Sequence, residues 1–543
     1  MAVASSPRES FEETATLLPD AATATADATT SPPPPKKHWV FIVSLLFVLI
    51  AIIDIGAFLA EPPKTRVFEK NLCLAYFQEH DPTKIGSGGH VPESECKITE
   101  VQQKLAMIFG WQDTFDAIPS ILLAVPFGAL ADKWGRKWIF AVALLGLQLS
   151  TAWVLLICYF QSLPLQLTWF SSAFLFIGGG SSVAVAVALT MVSDVTPPEK
   201  RTTTFLYATA AVMVSEMVAP IMASRLMEYG DWLPLILALV IQQVGVTMAV
   251  ACPETMHYRD MPEPRDRDDG HESVELSAKD EGFGFKAQVG NFKNAFHFVK
   301  SNTTLMIILF VYLGNRVGRQ ALTLLLRYAS KRYNWEIKKA AYLISFRAAS
   351  NLVTVAIFVP AVNYILLKYF RLPAHWADLW LARGSIALVA VSFLIMAVAV
   401  EPALLVIAIL VYNLGTGYGA AMRSISIHVV GGQSGPDVGK LMALLAITES
   451  IGMMFAGPLL NTLFKWGMGM GTAWLGLPFL AAGLLFCFLT FITFIIDVKD
   501  HDVQYVEVAS EDEDDLEIAG GRSSAIDTGS TPTHHVNNQN LLN

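Results

Sequence analysis

Gly128-Ala-Leu-Ala-Asp132-Lys-Trp-Gly135-Arg136-Lys137-Trp138 stands between two long apolar runs. It sets glycine, acid and base in a short hairpin where both runs reach the edge of a membrane. Each residue type has a physical reason to be there. Gly128 has no side chain and lets two membrane-spanning backbones approach closely. Asp132 is placed to meet the positive N-terminus of a neighbouring helix. Arg136 and Lys137, after the turn at Gly135, remain in the cytosolic interface. An ordinary basic turn would carry the same charges, so the reading depends on the hydropathy on either side.

That hydropathy is strong. Apolar residues make up 53% of the 543 and charged residues only 16%, with a mean hydropathy of +0.46. A soluble chain of this length carries more charge, and the composition is that of a polytopic membrane protein. The net charge of −9 marks no partner, because the acids gather in a central polar segment and in Glu511-Asp-Glu-Asp-Asp-Leu-Glu517. Nothing in that pattern recruits nucleic acid. Residues up to Pro35 are rich in Ala, Thr, Ser and Pro. They lack the basic start and apolar core of a signal peptide and predict a disordered cytosolic tail.

Apolar stretches long enough to span a bilayer run near 38–60, 103–131, 138–160, 166–192, 205–227 and 232–252. Six more follow near 304–326, 340–368, 381–400, 403–428, 439–463 and 475–497. The expectation is an all-α integral membrane protein of twelve transmembrane helices in two pseudo-symmetric six-helix bundles. The N-terminal tail covers 1–37, the first bundle 38–252 with a polar loop at 61–102, and a cytosolic central segment 253–303. Within that segment Phe285, Val289, Phe292, Phe296 and Val299 recur at helical spacing, as an amphipathic helix would. The second bundle covers 304–497 and an acidic cytosolic tail 498–543. Internal symmetry supports the division. The fifth run carries Ala219-Pro220 and the eleventh Gly457-Pro458, while Gly178-Gly-Gly180 in the fourth matches Gly415, Gly417 and Gly419 in the tenth. Small residues there permit close crossing, and proline is tolerated where neighbours satisfy the freed carbonyl.

Lys and Arg divide almost evenly between the short loops of the two sides, so charge asymmetry orients the chain only through the central segment and Lys36-Lys37, which favour cytosolic termini. The cysteines say more. Cys73 and Cys96 lie in one loop after the first run, where an oxidising outer side would allow them to pair. Glu13-Thr-Ala-Thr-Leu17-Leu18 has the spacing of an acidic-dileucine sorting signal. Both a plasma-membrane and a vacuolar location therefore stay open, the former being the primary expectation.

The 128–138 stretch resembles the signature between the second and third helices of the major facilitator superfamily, and six runs, a polar segment and six runs is that family's layout. The loop from Asn71-Leu-Cys73 to Glu95-Cys96-Lys97 resembles one in a fungal branch of it. So do Ser330-Lys-Arg-Tyr-Asn-Trp335 and Leu343-Ile-Ser-Phe-Arg347-Ala-Ala-Ser-Asn351. The resemblance implies a carrier of small organic molecules, often an exporter of toxins, drugs or secondary metabolites, without naming the substrate. The antiporter subgroup has an Arg near the start of the fourth helix and a Gly-Pro signature in the fifth. Here the fourth run has no Arg and the fifth reads Glu216-Met-Val-Ala219-Pro220. Proton-driven uptake and a non-transporting nutrient sensor are the alternatives.

A charge at the bilayer centre costs at least about 2.5–3.5 kcal/mol, so each one needs a partner, a proton or water. Asp54 falls in the first run, Asp113 and Asp116 in the second, Glu216 in the fifth and Glu449 in the eleventh. These five are the candidates for proton coupling, since a carboxyl group in apolar surroundings favours its neutral form. Arg316 and Arg319 in the seventh run, with Arg347 and Asn351 in the eighth, are the candidate counter-charges or substrate contacts. Static ion pairs that only fix helix packing are the alternative for any one of them. No nucleophile elbow, phosphate loop or metal-ligand cluster is present, so the expectation is a non-enzyme without cofactor or metal. Its expected partners are a small-molecule substrate, protons and lipid, and it is expected to act as a monomer.

Overall fold

The computed structural model describes residues 38–86, 89–161, 163–197, 200–255, 303–371, 373–430 and 438–495. The expected tails, the amphipathic helix and most of the central segment lie outside these residues. The described chain is helical, without strands. Its helices are α1 (His38–His80), α2 (Thr99–Trp134), α3 (Arg136–Tyr159), α4 (Gly180–Val195), α5 (Arg201–Leu226) and α6 (Trp232–Ala251), then α7 (Thr303–Thr323), α8 (Leu325–Arg332), α9 (Ile337–Val353) and α10 (Val359–Tyr364). The last are α11 (Ala374–Ala397), α12 (Pro402–Leu414), α13 (Tyr418–Val429), α14 (Val438–Met470) and α15 (Leu477–Thr493).

Nine helical stretches among the described residues are long and apolar enough to cross a membrane. Three further helices, α2, α7 and α14, have 36, 21 and 33 residues and carry Asp113 and Asp116, Arg316 and Arg319, and Glu449. Large apolar side chains such as Phe41, Leu484, Phe488 and Phe491 point outward, as a lipid solvent favours.

α1 packs along α5 and α6, and α3 against α4 and α6; in the second group α11 lies against α12, α13 and α15, and α14 against α7. Two seams join the groups, α2 with α14 and α5 with α9. The α2–α14 seam is close because of glycine. A Cβ on Gly110 would stand 2.8 Å from Asn461 Cβ, and one on Gly457 would stand 2.6 Å from Asp113 Cβ.

Two local expectations need correction. Residues 61–80, read as loop, continue α1 through Pro62 and Pro63 for a total of 43 residues. At 1.5 Å per residue this is roughly 65 Å, twice the hydrocarbon thickness, so the last turns stand clear of it. There they are held by ion pairs, including Arg66 to Asp231 at 2.9 Å. The fourth apolar run is not one helix: Leu165–Ile177 is a 3-10 stretch, and α4 begins at Gly180 after its N-cap Gly179, both at positive φ (74° and 79°). Cys73 and Cys96 form the disulfide, with Cα atoms 5.3 Å apart.

A Cβ on Gly178 would fall 2.2 Å from Ala143 Cα, against backbone that cannot give way. Gly178→Ala should therefore destabilise the chain by about 1–3 kcal/mol, as overpacking does. The thermal midpoint of the detergent-purified variant checks this, and an unchanged midpoint would remove Gly178 as a packing constraint.

Candidate functional site

Between the two helix groups lies a cavity of about 790 Å³. Phe109, Gln112, Asp116 and the Glu61–Lys64 pair line it towards the disulfide end, and Ala184, Ala188, Leu189 and Ala208 line it towards the 128–138 hairpin. Asp54, Glu216, Arg319 and Asn351 stand between.

The seams decide which of these polar groups meet. Glu216 on α5 pairs with Arg347 on α9, so the two candidates assigned different roles are one ion pair across a seam. Arg319 pairs with Glu449, tying α7 to α14. Arg316, one turn earlier, instead directs Nη2 to Met453 Sδ at 2.8 Å, and its Nε has no hydrogen-bond partner among the described residues. Asp113 and Asp116 share a helix but serve different neighbours. Asp113 accepts from Gln320 Nε2 at 2.5 Å across the α2–α7 boundary, whereas Asp116 accepts from Gln112 Nε2 at 2.9 Å and from the Ser172 hydroxyl. Asp54 makes no hydrogen bond or ion pair among the described residues. Asn351 Nδ2 reaches only Met213 Sδ at 4.0 Å, and its Oδ1 is buried without a partner.

Several residues escaped the sequence reading. Arg327 is buried, donates to Asn461 Oδ1 at 2.8 Å and stacks 4.3 Å from the Phe109 ring centroid. It follows the apolar part of the seventh run and looks like a loop cation, as does Lys64, which donates to Glu61 at 2.6 Å. Only the burial of the α1 and α8 extensions could have revealed them.

At the hairpin end Gly135 takes φ of 101°, and a Cβ there would lie 2.5 Å from Glu254 Oε2. The Glu254 carboxylate, just past α6, accepts from the backbone N–H of Arg136 at 2.9 Å and of Lys137 at 3.4 Å, capping α3. Arg136 Nη1 pairs with Asp194 of α4 at 2.9 Å, both side chains under one-tenth exposed. Lys137 Nζ donates to Val250 O at 3.4 Å. These partners lie on α4 and α6 and in the segment just past α6. The side chain of Asp132 lies outside the described residues. Gly128 departs from expectation: a Cβ there would meet nothing within 4 Å, so in this arrangement it is not a point of close approach.

Among the described residues, hydrogen bonds and ion pairs between the groups are found from the disulfide end to mid-membrane. On one seam they pass from Gln103 Nε2 to Lys465 O (2.9 Å) down to Thr114 Oγ1 to Met454 O (3.3 Å). On the other they pass from Ser224 Oγ to Lys338 O (2.9 Å) down to Glu216 with Arg347. Gln103 and Ser224 make these contacts at the disulfide end of the cavity. Among the described residues no cluster of three His, Cys, Asp or Glu side chains is placed to hold a metal.

Comparison with known proteins gives this arrangement a context. The family described as Major Facilitator Superfamily matches residues 98–434. The MFS efflux pump atnC of Emericella nidulans is 35% identical over 435 residues, covering 80% of this chain and 83% of that protein. The efflux pump ustT of Aspergillus flavus is 28% identical over 432 residues, covering 77% and 81%. Among solved structures, the nucleoside transporter NupG superposes with a TM-score of 0.56 at 13% identity, over 84% of this chain and all of that one. A bacterial homologue of the human lysosomal transporter Spinster, crystallised inward-facing and unoccupied, gives 0.53 at 12%, over 85% and 97%. At these identities the structural likeness shows the fold.

Asn461→Ala would leave the buried Arg327 guanidinium without its acceptor. A lost hydrogen bond to a charged group costs about 1.5–3 kcal/mol, and the variant's thermal midpoint should fall accordingly. Wild-type stability would mean that the Phe109 ring suffices to hold Arg327.

Proposed function

The chain belongs to the Major Facilitator Superfamily, and we propose that it is a proton-coupled exporter of a small organic compound, working by alternating access between two six-helix bundles. The single observation that carries this reading is the cavity flanked by contacts across both seams, with an ion pair, Glu216–Arg347, spanning one of them. Twelve spans follow when α2, α7 and α14 are counted with the nine apolar stretches. The disulfide end then faces the oxidising outer side and both termini face the cytosol. The plasma membrane is the primary location and the vacuolar membrane the alternative. On this reading the cavity takes up its cargo from the cytosol, where an exporter loads. The names of the fungal relatives, efflux pumps both, favour export over uptake.

Glu216 is the coupling acid of this scheme. Ionised, it holds Arg347 and with it the α5–α9 seam. Protonated, it releases the guanidinium and lets the seam rearrange. Asp113, bonded across the other boundary by Gln320, is its counterpart, with Asp116, Glu449 and Asp54 as further candidates. The chemistry is carriage, without a catalytic residue.

Expression in cells lacking their own efflux carriers should lower the accumulation of at least one member of a panel of amphipathic small molecules, and a protonophore should abolish the effect. Glu216→Gln should abolish the gradient dependence while leaving gradient-free exchange of that compound intact. Retained gradient dependence in Glu216→Gln would remove Glu216 as the coupling site. Raised accumulation in wild-type cells would favour uptake.

Arg136→Ala should impair turnover more than binding, because Arg136 is paired with Asp194 at the rim and lies outside the cavity lining. With the exported compound in hand, transport rate should fall about tenfold or more, the scale of a lost buried charge partner, at near-constant binding affinity. Parallel loss of both would place the hairpin in the substrate site.

A further inference from the structure

The disulfide end holds a device that the scheme above does not use. Between Cys73 on α1 and α2, a 3-10 turn, Glu93–Lys97, carries Cys96 near its end. Its Glu93 side chain is only 6% exposed and reaches across to the other helix group: Oε1 accepts from the backbone N–H of Ile337 at 2.6 Å. Ile337 is the first residue of α9, whose own N-cap residue, Glu336, provides no side-chain cap. The carboxylate of one group therefore caps a helix of the other, the same helix that carries Arg347. Glu93 is held in place from behind, by Arg66 Nε at 2.7 Å and Lys97 Nζ at 3.2 Å. Lys97 is itself anchored to the buried Glu69 at 2.7 Å, and its carbonyl accepts from Lys331 of α8. The turn thus makes two bonds to the opposite group, and the disulfide ties that turn to α1.

We infer that Glu93 is a positioning residue that latches the disulfide end shut, and that the Cys73–Cys96 bond acts through it by fixing the turn from which it reaches. Closure is a competition. A capping carboxylate with a backbone N–H and the positive end of a helix to satisfy stabilises the closed arrangement. Opening must leave Ile337 N–H and Glu93 to water. Without the disulfide the turn is free to move, and the cap is made less often for an entropic reason alone. The inference concerns which end is open, and it stands whether the cargo moves outward or inward.

The test is a distance measurement on the purified full chain, blind to membrane orientation and to substrate. Cys158, Cys252 and Cys487 are replaced by Ala, and maleimide spin labels are placed at Tyr229→Cys and Glu401→Cys. Both positions are exposed, one beyond α5 and the other before α12, on opposite groups at the disulfide end. Wild type should give a dominant short distance. Glu93→Ala should raise the long-distance fraction relative to the short one by about tenfold, the scale of a lost helix cap. Glu93→Gln keeps an oxygen for Ile337 N–H and gives up the charge, so it should shift less. Joint Cys73→Ala and Cys96→Ala should shift the distribution in the same direction, and adding Glu93→Ala to it should bring little further change. Unchanged distances in monodisperse Glu93→Ala or, if that variant does not fold, in Glu93→Gln would overturn the latch. Full additivity with the cysteine variant would overturn the claim that the disulfide acts through Glu93.

Discussion

A charge inside the hydrocarbon needs a partner, a proton or water, and in this protein two of the partners stand on the opposite helix group. Glu216 meets Arg347 across α5 and α9, and Asp113 meets Gln320 across α2 and α7. A salt bridge within a rigid group would only fix packing. One that spans two groups is made or broken when they move, and it therefore reports and biases their arrangement. The close approach at mid-membrane depends on glycine: Gly457 and Gly110 allow α14 and α2 to interlock around Asp113 and Asn461. Replace that contact by side-chain volume and the seam that positions the charges is lost.

The two ends of the molecule differ in kind. At the hairpin end Glu254 caps α3, Gly135 makes room for that carboxylate, and Arg136 holds Asp194, all within the first helix group. The disulfide end is joined between groups, by Glu93, Lys331, Ser224 and Gln103. The cavity lies beside these joining contacts and extends to Ala184, Ala188 and Ala208 on the hairpin side. Gly128, whose sequence reading was close approach of two backbones, fits no such contact here.

Much of this was legible in the sequence. The apolar runs set the helices, the hairpin motif pointed to the family, and Cys73 and Cys96 pair as their shared segment suggested. The membrane charges were found because charge is rare among apolar residues. Their pairing was not legible, since Glu216 and Arg347 are far apart in sequence and nothing local says which acid meets which base. Helix extensions outside the hydrocarbon were misread for a related reason. Glu61-Pro-Pro-Lys64 looks like a loop to hydropathy, yet α1 continues through it because Glu61, Arg66 and Glu69 find partners there. The three glycines at 178–180 were noted for packing, and Gly178 does pack on Ala143, but that two of them end the 3-10 stretch with positive φ required the backbone.

The central claim is that a protonatable pair across the α5–α9 seam sets which end is open. The most direct measurement is the distance between spin labels at Lys133→Cys and Lys368→Cys, exposed positions on opposite groups at the hairpin end, in purified chain with Cys158, Cys252 and Cys487 replaced by Ala, as pH is lowered from mildly alkaline to mildly acidic. Protonation of Glu216 ends its attraction for Arg347 and favours the arrangement in which the disulfide end opens and the hairpin end closes. The account predicts that the distance shortens as pH falls. A distribution that stays the same across that range, or lengthens, would contradict it.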